Sequence, residues 1–294
     1  MINTSLRLVG AYDYSAYSVV TIEADNWYGK KAYCRYFDKN WMELEPTVES
    51  VGFPEFAYYC CKHPLAKYIS ISKTKNEVVN FTVPVLDRET DNPKYTLSLC
   101  LAPFYGDLER KWLLLAELIE HYKLQGVEHF YIYIKDIDSY TLKLLDDYAK
   151  TGEAEVVFFR EEQDRTSLEW QHVEIEGEET LLEHLPIFNF RNSSTATPTG
   201  VATKCVADTR RVMAMGIHNA YILMPGYETF FVPANKAVSL HYRDSDAWGW
   251  NWKRMAQVSR YGPFKIEGYP IRLIYPLYQN VKRRLDRVYG VDSL

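Results

Sequence analysis

Two rhythms of apolar and polar residues divide this chain. Up to about residue 95 the apolar positions come in short runs, at residues 17–23, 31–37, 57–60, 68–71 and 78–84, each broken by Gly, Pro, Asn or Asp. β-Branched and aromatic residues dominate them and no helical stripe intervenes, so the spacing predicts a β-rich region over residues 1–94. Its last stretch, Asp87 to Lys94, carries five charges and a proline and reads as a linker.

From Tyr95 the periodicity lengthens. Thr96 to Phe104 is a continuous apolar run, and Leu108, Trp112, Leu115, Ile119 and Tyr122 then recur at the spacing of a helix face. Asp107 is a fair N-cap for that helix and Gly126 a fair stop. His129 to Ile134 predicts a second buried strand, Ser139 to Lys150 a second helix and Ala154 to Phe159 a third strand. Strands that are apolar throughout, joined by crossover helices, predict a parallel sheet covered on both faces. Ligands of such sheets sit outside the carboxyl ends of the strands, which draws attention to Ala102–Gly106 and Lys135–Asp138.

Beyond Arg160 the pattern fades. Nine of the 23 residues from Glu161 to Glu183 are acidic and complete no strand-helix unit, so this stretch reads as a solvated excursion. Short β segments are predicted at 187–190, 201–206, 220–224, 229–232 and 238–242, and basic-faced helices at 247–259 and 277–289.

Composition narrows the classes. The 294 residues are 47% hydrophobic and 25% charged, which is globular, and the net charge of −5 leaves no basic footprint for a nucleic-acid backbone. Aromatic residues make up 15%, a supply of rings that serves cores and sugar stacking alike. No secretory leader and no apolar run long enough to span a bilayer is evident in the chain. Five cysteines are too few for a disulfide scaffold and none has zinc spacing. Asn-x-Ser/Thr acceptors occur at Asn3, Asn80 and Asn192, and acquire meaning only in a secretory protein.

Dinucleotide, P-loop and nucleophile-elbow motifs are absent. Two Asp-x-Asp triplets remain. Asp136-Ile-Asp138 follows the second parallel strand and reads either as a contact to a nucleotide or its cation, or as a capping turn into Ser139. His241-Tyr242-Arg243-Asp244, with Asp246, offers an imidazole for a metal, a guanidinium for a phosphate and a carboxylate for a base, or else a strand end facing water. Glu117, Glu120 and His121 share a helix face, as a functional cluster or as ion-pair and solvated residues. Trp248, Trp250 and Trp252 present three indoles in five residues, suited to sugar stacking or to a core.

Taken in order, Cys100-Leu-Ala-Pro-Phe-Tyr-Gly106, Lys111-Trp112, Glu117 to Gly126, His129 to Tyr133, Leu144 to Tyr148, Trp170-Gln171, Lys204-Cys-Val206, His241 to Asp244, Tyr261-Gly-Pro263 and Asn280 to Arg284 resemble glycosyltransferase family 92, and most of all its nematode, β-1,4-galactosyltransferase-like branch. The likeness covers about residues 95–290. It implies a GT-A-like, Rossmann-like nucleotide-sugar-binding domain behind the β-rich appendage. The implied activity is inverting transfer of a hexose, galactose by the branch, from a UDP-sugar to a glycan acceptor such as fucose on an N-glycan core. Mn²⁺ and a Golgi membrane location, luminal side, are implied with it, through an anchor this sequence does not contain. On that reading Ala102, Pro103, Tyr105, Lys111, Asp136, Asp138 and Arg243 bind the nucleotide-sugar, His241 binds the metal, Asp244 or Asp246 is the catalytic base and the three Trp residues meet the acceptor. The chain departs from the family pattern between Gln171 and Leu185: near residues 172–185 roughly 60 to 70 residues, including the metal-binding Asp-x-Asp, are missing from a span too short to compress them. The departure implies a missing disulfide partner as well. The alternative reading is therefore a noncatalytic glycan-binding or interaction protein descended from that family.

Overall fold

A computed structural model describes residues 6–14, 16–24, 26–53, 56–88, 92–104, 111–158, 181–193, 196, 198, 200–201, 203–216, 218–240, 262–263, 265–266 and 268–290. The chain divides into two compact units, residues 1–92 with 202–231 and residues 93–201 with 232–294. Residues 202–231, read from sequence as part of the second domain, thus group with the first unit.

The first unit is built on a mostly antiparallel sheet. Its strands are β1 (Arg7–Asp13), β2 (Tyr17–Glu23), β3 (Lys31–Phe37), β4 (Glu43–Val51), β5 (Ala57–Cys61), β6 (Tyr68–Ser72) and β7 (Val83–Asp87), in the order β4-β3-β6-β7-β1-β2-β5. Only the β1/β7 pair is parallel. The first and last strands of that order meet where Gly52 bridges Tyr58, so the sheet curls back on itself. A side chain at position 52 would drive a Cβ to 2.5 Å from the Trp27 carbonyl oxygen, which is why glycine stands there. Ala11, Val20, Ile22, Trp27, Tyr36, Tyr58, Ile69 and Ile71 fill the interior. A disulfide joins Cys34 of β3 to Cys60 of β5 across it, a pairing that the cysteine count did not suggest.

Two of these strands are not evident from the hydrophobic pattern. β1 is interrupted by Gly10, next to a register shift against β2. β4 carries three glutamates and Pro46, which a strand at the end of the sheet tolerates because one row of its backbone groups needs no ladder partner. A hairpin of β12 (Val212–Met215) and β13 (Ala220–Leu223) completes the unit. The Tyr59 hydroxyl donates to the Met213 carbonyl at 3.1 Å and the Tyr17 hydroxyl lies 2.9 Å from the Met224 sulfur.

The second unit holds the predicted βαβαβ run. β8 (Ser98–Phe104), α1 (Trp112–Leu124), β9 (His129–Ile134), α2 (Ser139–Lys150) and β10 (Ala154–Phe158) give a sheet of order β10-β9-β8 with both pairs parallel. The chain as a whole is mixed α/β. Gly126, at φ 93°, ends the first helix as expected. β9, at the centre, buries Phe130, Ile132 and Ile134. β8 instead alternates exposed and half-buried residues and, among the described residues, lies at the sheet edge; Pro103 falls in its register shift, where no ladder donor is required. The expectation of full cover on both faces therefore does not extend to β8.

Further along, α3 (Leu181–His184) and α4 (Pro186–Asn189) stand where the short apolar run at 187–190 had predicted β structure. Such runs do not discriminate strand from helix, and Pro186 at the first turn favours the helix. No strand forms at residues 229–232 or 238–240, whose apolar side chains are exposed. β11 (Asn192–Ser193) pairs with β14 (Lys265–Ile266). The C-terminal helix α5 (Ile271–Tyr289) begins six residues before the predicted 277, running through Pro276, and Leu277, Val281 and Leu285 bury one of its faces in the core shared with α1, α2 and β9. The helix predicted at 247–259 lies outside the described residues. No helix among the described residues is long and apolar enough to cross a membrane.

Candidate functional site at the carboxyl ends of the parallel strands

Parallel strands feed helices whose amino ends point back over the strand tips, so the fold concentrates backbone N–H groups there before any side chain is considered. The β8 and β9 tips are tied together: the Phe104 carbonyl accepts from Lys135 N at 2.8 Å and from Asp136 N at 3.3 Å. Ala102 and Pro103 are exposed at the end of β8, and Lys111 occupies the N-cap position of α1 without capping it through its side chain.

Asp138 is the N-cap of α2. Its Oδ1 accepts from Thr141 N at 2.8 Å and its Oδ2 from the Thr141 hydroxyl at 2.6 Å, with only 4% of the residue exposed. Of the two roles open to it from sequence, this geometry is the capping one. The Thr141 hydroxyl in turn accepts from Lys111 N at 3.2 Å, so one buried side chain couples the first turns of both helices. Thr141 was not singled out by the sequence, because a threonine in a helix start carries no distinguishing signal. The same holds for the aromatic cluster beside it. Trp112 meets Tyr140 and Tyr289 edge-on at 5.7 and 5.9 Å, and Tyr140 stacks on Tyr289 at 4.1 Å. The Tyr289 hydroxyl donates to the Tyr140 carbonyl at 2.8 Å, and burial first, then the Tyr140 and Asp138 charges, push it well above the ordinary tyrosine range.

The Glu117, Glu120 and His121 face turns inward rather than to solvent, and Glu120 is ion-paired there with Lys123 and Arg284, as one of the two sequence readings expected. Glu117, 4% exposed, accepts from Ile187 N at 3.1 Å and so holds the start of α4; burial pushes its carboxyl up to about 7 against the opposing pull of that hydrogen bond. Glu120 accepts from the Tyr148 hydroxyl at 2.9 Å and from Lys123 at 3.1 Å. His121 Nδ1 lies 2.5 Å from the Tyr269 hydroxyl, and burial lowers its pKa.

A shallow cleft lined by Tyr95, His129, Tyr131 and Glu155 lies at the opposite, amino ends of β9 and β10. Helix N-termini do not face that end, so it is not the candidate site. Among the described residues no three His, Cys, Asp or Glu side chains gather closely enough to hold a metal ion. Tyr105, His241, Arg243, Asp244, Asp246, Trp248, Trp250 and Trp252 lie outside the described residues. Of the sequence-derived nucleotide-sugar candidates, the structure brings Ala102, Pro103, Lys111, Asp136 and Asp138 to one end of the sheet.

A parallel βαβαβ unit with helix starts over its strand tips defines an α/β protein of the kind that carries ligands at those tips. The family model of glycosyltransferase family 92 matches this region in two pieces, residues 95–177 and 162–275. Together they span more than half of the chain, which belongs to glycosyltransferase family 92, a family of proteins that transfer sugars from a donor to an acceptor. No curated protein and no solved structure matches.

Proposed function

We propose that this protein descends from, and acts as, an inverting hexosyltransferase with a GT-A-like domain, using a UDP-sugar, galactose in the first instance, and a glycan acceptor such as core fucose. The observation that carries this reading is the β10-β9-β8 parallel sheet inside the first matched piece, with the starts of α1 and α2 joined through Thr141 at its carboxyl end. Partial positive charge at two helix N-termini suits a diphosphate, and Lys111 adds a full charge. Ala102, Pro103, Tyr105 and Asp136 would border the nucleotide, with Asp138 acting through its cap and Arg243 pairing with a phosphate oxygen. Asp244, with Asp246 in reserve, would take the acceptor hydroxyl proton as that oxygen attacks the anomeric carbon and the nucleotide diphosphate departs from the opposite face. Trp248, Trp250 and Trp252 would offer ring faces to the acceptor. Mn²⁺ stands as a proposal resting on the family alone, and no step is drawn through it. A Golgi-luminal setting is supported by the Cys34–Cys60 disulfide, since such bonds persist in oxidising compartments.

One observation favours a second reading. The two pieces of the family match overlap at residues 162–177, inside the acidic stretch where the resemblance implies that the family's metal motif is lost. We infer that the chain is shortened there, which favours a noncatalytic glycan-binding protein that retains the family surface. Titration with UDP-galactose by calorimetry, with and without Mn²⁺, followed by a transfer assay on fucosylated glycans, separates the two. Metal-dependent donor binding with transfer supports the enzyme; glycan binding without donor binding supports the second reading; neither would overturn both.

A further inference from the structure

Asn80-Phe-Thr82 lies on the connection from β6 to β7, residues 73–82, in the first unit. Its first part is anchored: the Glu77 carbonyl accepts from the buried Arg35 at 2.9 Å and the Glu77 carboxylate from Lys73 N at 2.6 Å. Residues 77–82 then run without helix or strand, Asn80 is exposed, and its side-chain amide makes no hydrogen bond with a described residue. Val78 is 79% exposed and Phe81 62%, two apolar side chains flanking the amide on a surface that leaves them in water. Thr82 is the informative member. Its hydroxyl oxygen is buried with no hydrogen-bond partner among the described residues. A buried hydroxyl without a partner works against folding, and valine would fill the same volume without that cost. The described residues therefore supply no partner that would call for threonine at this position, whereas the acceptor motif requires a hydroxyl two residues after the asparagine.

We propose that Asn80 carries an N-linked glycan. The transferring enzyme of the secretory pathway would join Asn80 Nδ2 to the anomeric carbon of a lipid diphosphate-linked oligosaccharide. The bond from that carbon to the phosphate oxygen breaks, the lipid diphosphate leaves with the electron pair, and one amide proton passes to a base of the transferring enzyme. The exposed, unpaired position leaves room for the attached sugar in the folded state, and its apolar CH faces would cover Phe81 and Val78. The inference rests on the luminal reading above, and the experiment keeps the two apart.

The full chain is secreted from eukaryotic cells behind a cleavable leader, and the tryptic peptide of residues 76–88 is analysed after peptide N-glycosidase treatment in heavy-oxygen water, alongside a nonreducing digest for the Cys34–Cys60 bond. The expected result is conversion of Asn80 to heavy-oxygen-labelled Asp in most molecules, abolished by Asn80→Gln and Thr82→Val and retained by Thr82→Ser, with Thr82→Val melting no lower than enzymatically deglycosylated wild type. A bare Asn80 in protein whose disulfide is intact overturns the glycan while leaving the luminal reading standing. A bare Asn80 with free Cys34 and Cys60 overturns both.

Discussion

The guanidinium carbon of Arg284 lies 3.8 Å from the centre of the Tyr148 ring, while the Tyr148 hydroxyl donates to Glu120 at 2.9 Å. The same guanidinium pairs with Asp147 at 2.6 Å and with Glu153, so α5 is held to α1, α2 and the turn before β10 by one buried cation. Removing one member of a buried ionic network leaves the others uncompensated. Arg284→Met, which keeps the stem, is expected to lower unfolding free energy by about 3 kcal/mol in urea titrations. A loss below about 1 kcal/mol would mean that Lys123 and Arg287 suffice to neutralise the carboxylates.

Glu117 and Glu153 give the stability curve opposite slopes. Burial raises the Glu117 carboxyl from its ordinary 4.5 to about 7, so over that interval the folded chain holds a proton that the unfolded chain has released. Stability from this group is complete below pH 4.5 and is lost as pH rises towards 7. Glu117→Gln keeps an acceptor for Ile187 N and is expected to flatten that slope, gaining about 3 kcal/mol at pH 8 by linkage arithmetic. For Glu153, burial opposes ionisation but hydrogen bonds from Lys123, Thr151 and Arg284 outweigh it, holding the carboxyl down to about 2. Its contribution is present above pH 4.5 and is lost as pH falls through about 2, and Glu117→Gln should leave this acid limb in place. Denaturant midpoints across pH 2 to 9 read both limbs.

Asp136 and Asp138, one residue apart, are expected to separate by experiment. Asp138→Ala removes the α2 cap and should cost about 1–2 kcal/mol of stability in thermal melts. Asp138→Asn should change UDP binding little, whereas Asp136→Asn should weaken it about tenfold. Equal losses of UDP binding without loss of stability would restore Asp138 to direct contact.

The Cys34–Cys60 bond closes a loop of sequence separation 26. Reduction, or Cys34→Ser with Cys60→Ser, is expected to lower the stability of the first unit by about 2–5 kcal/mol. The second unit, whose described residues hold no disulfide, should melt unchanged in reductant; a shift of both transitions together would show that the units unfold as one.

Much of the second unit was legible because its signals are local. The helix faces around Leu115 and Ile119 and around Leu144 and Tyr148, the glycine after α1 and the apolar β9 run each report on a few neighbouring residues, and the parallel order follows from their alternation. β1 and β4 were not legible, since a glycine and edge-strand charges mask the period-two pattern.

The sequence by itself determined the family, the βαβαβ run and the end of the sheet at which the donor is proposed to sit. Only tertiary structure decided that Asp138 spends its carboxylate on Thr141, that Glu117 and Glu120 turn inward to bind Ile187 N and Tyr148, and that Cys34 meets Cys60. The physical reason is range: helix periods and turns are set by residues within a few positions, whereas a carboxylate's partner is whichever donor packing brings within 3 Å or so, here from as far as 70 residues away.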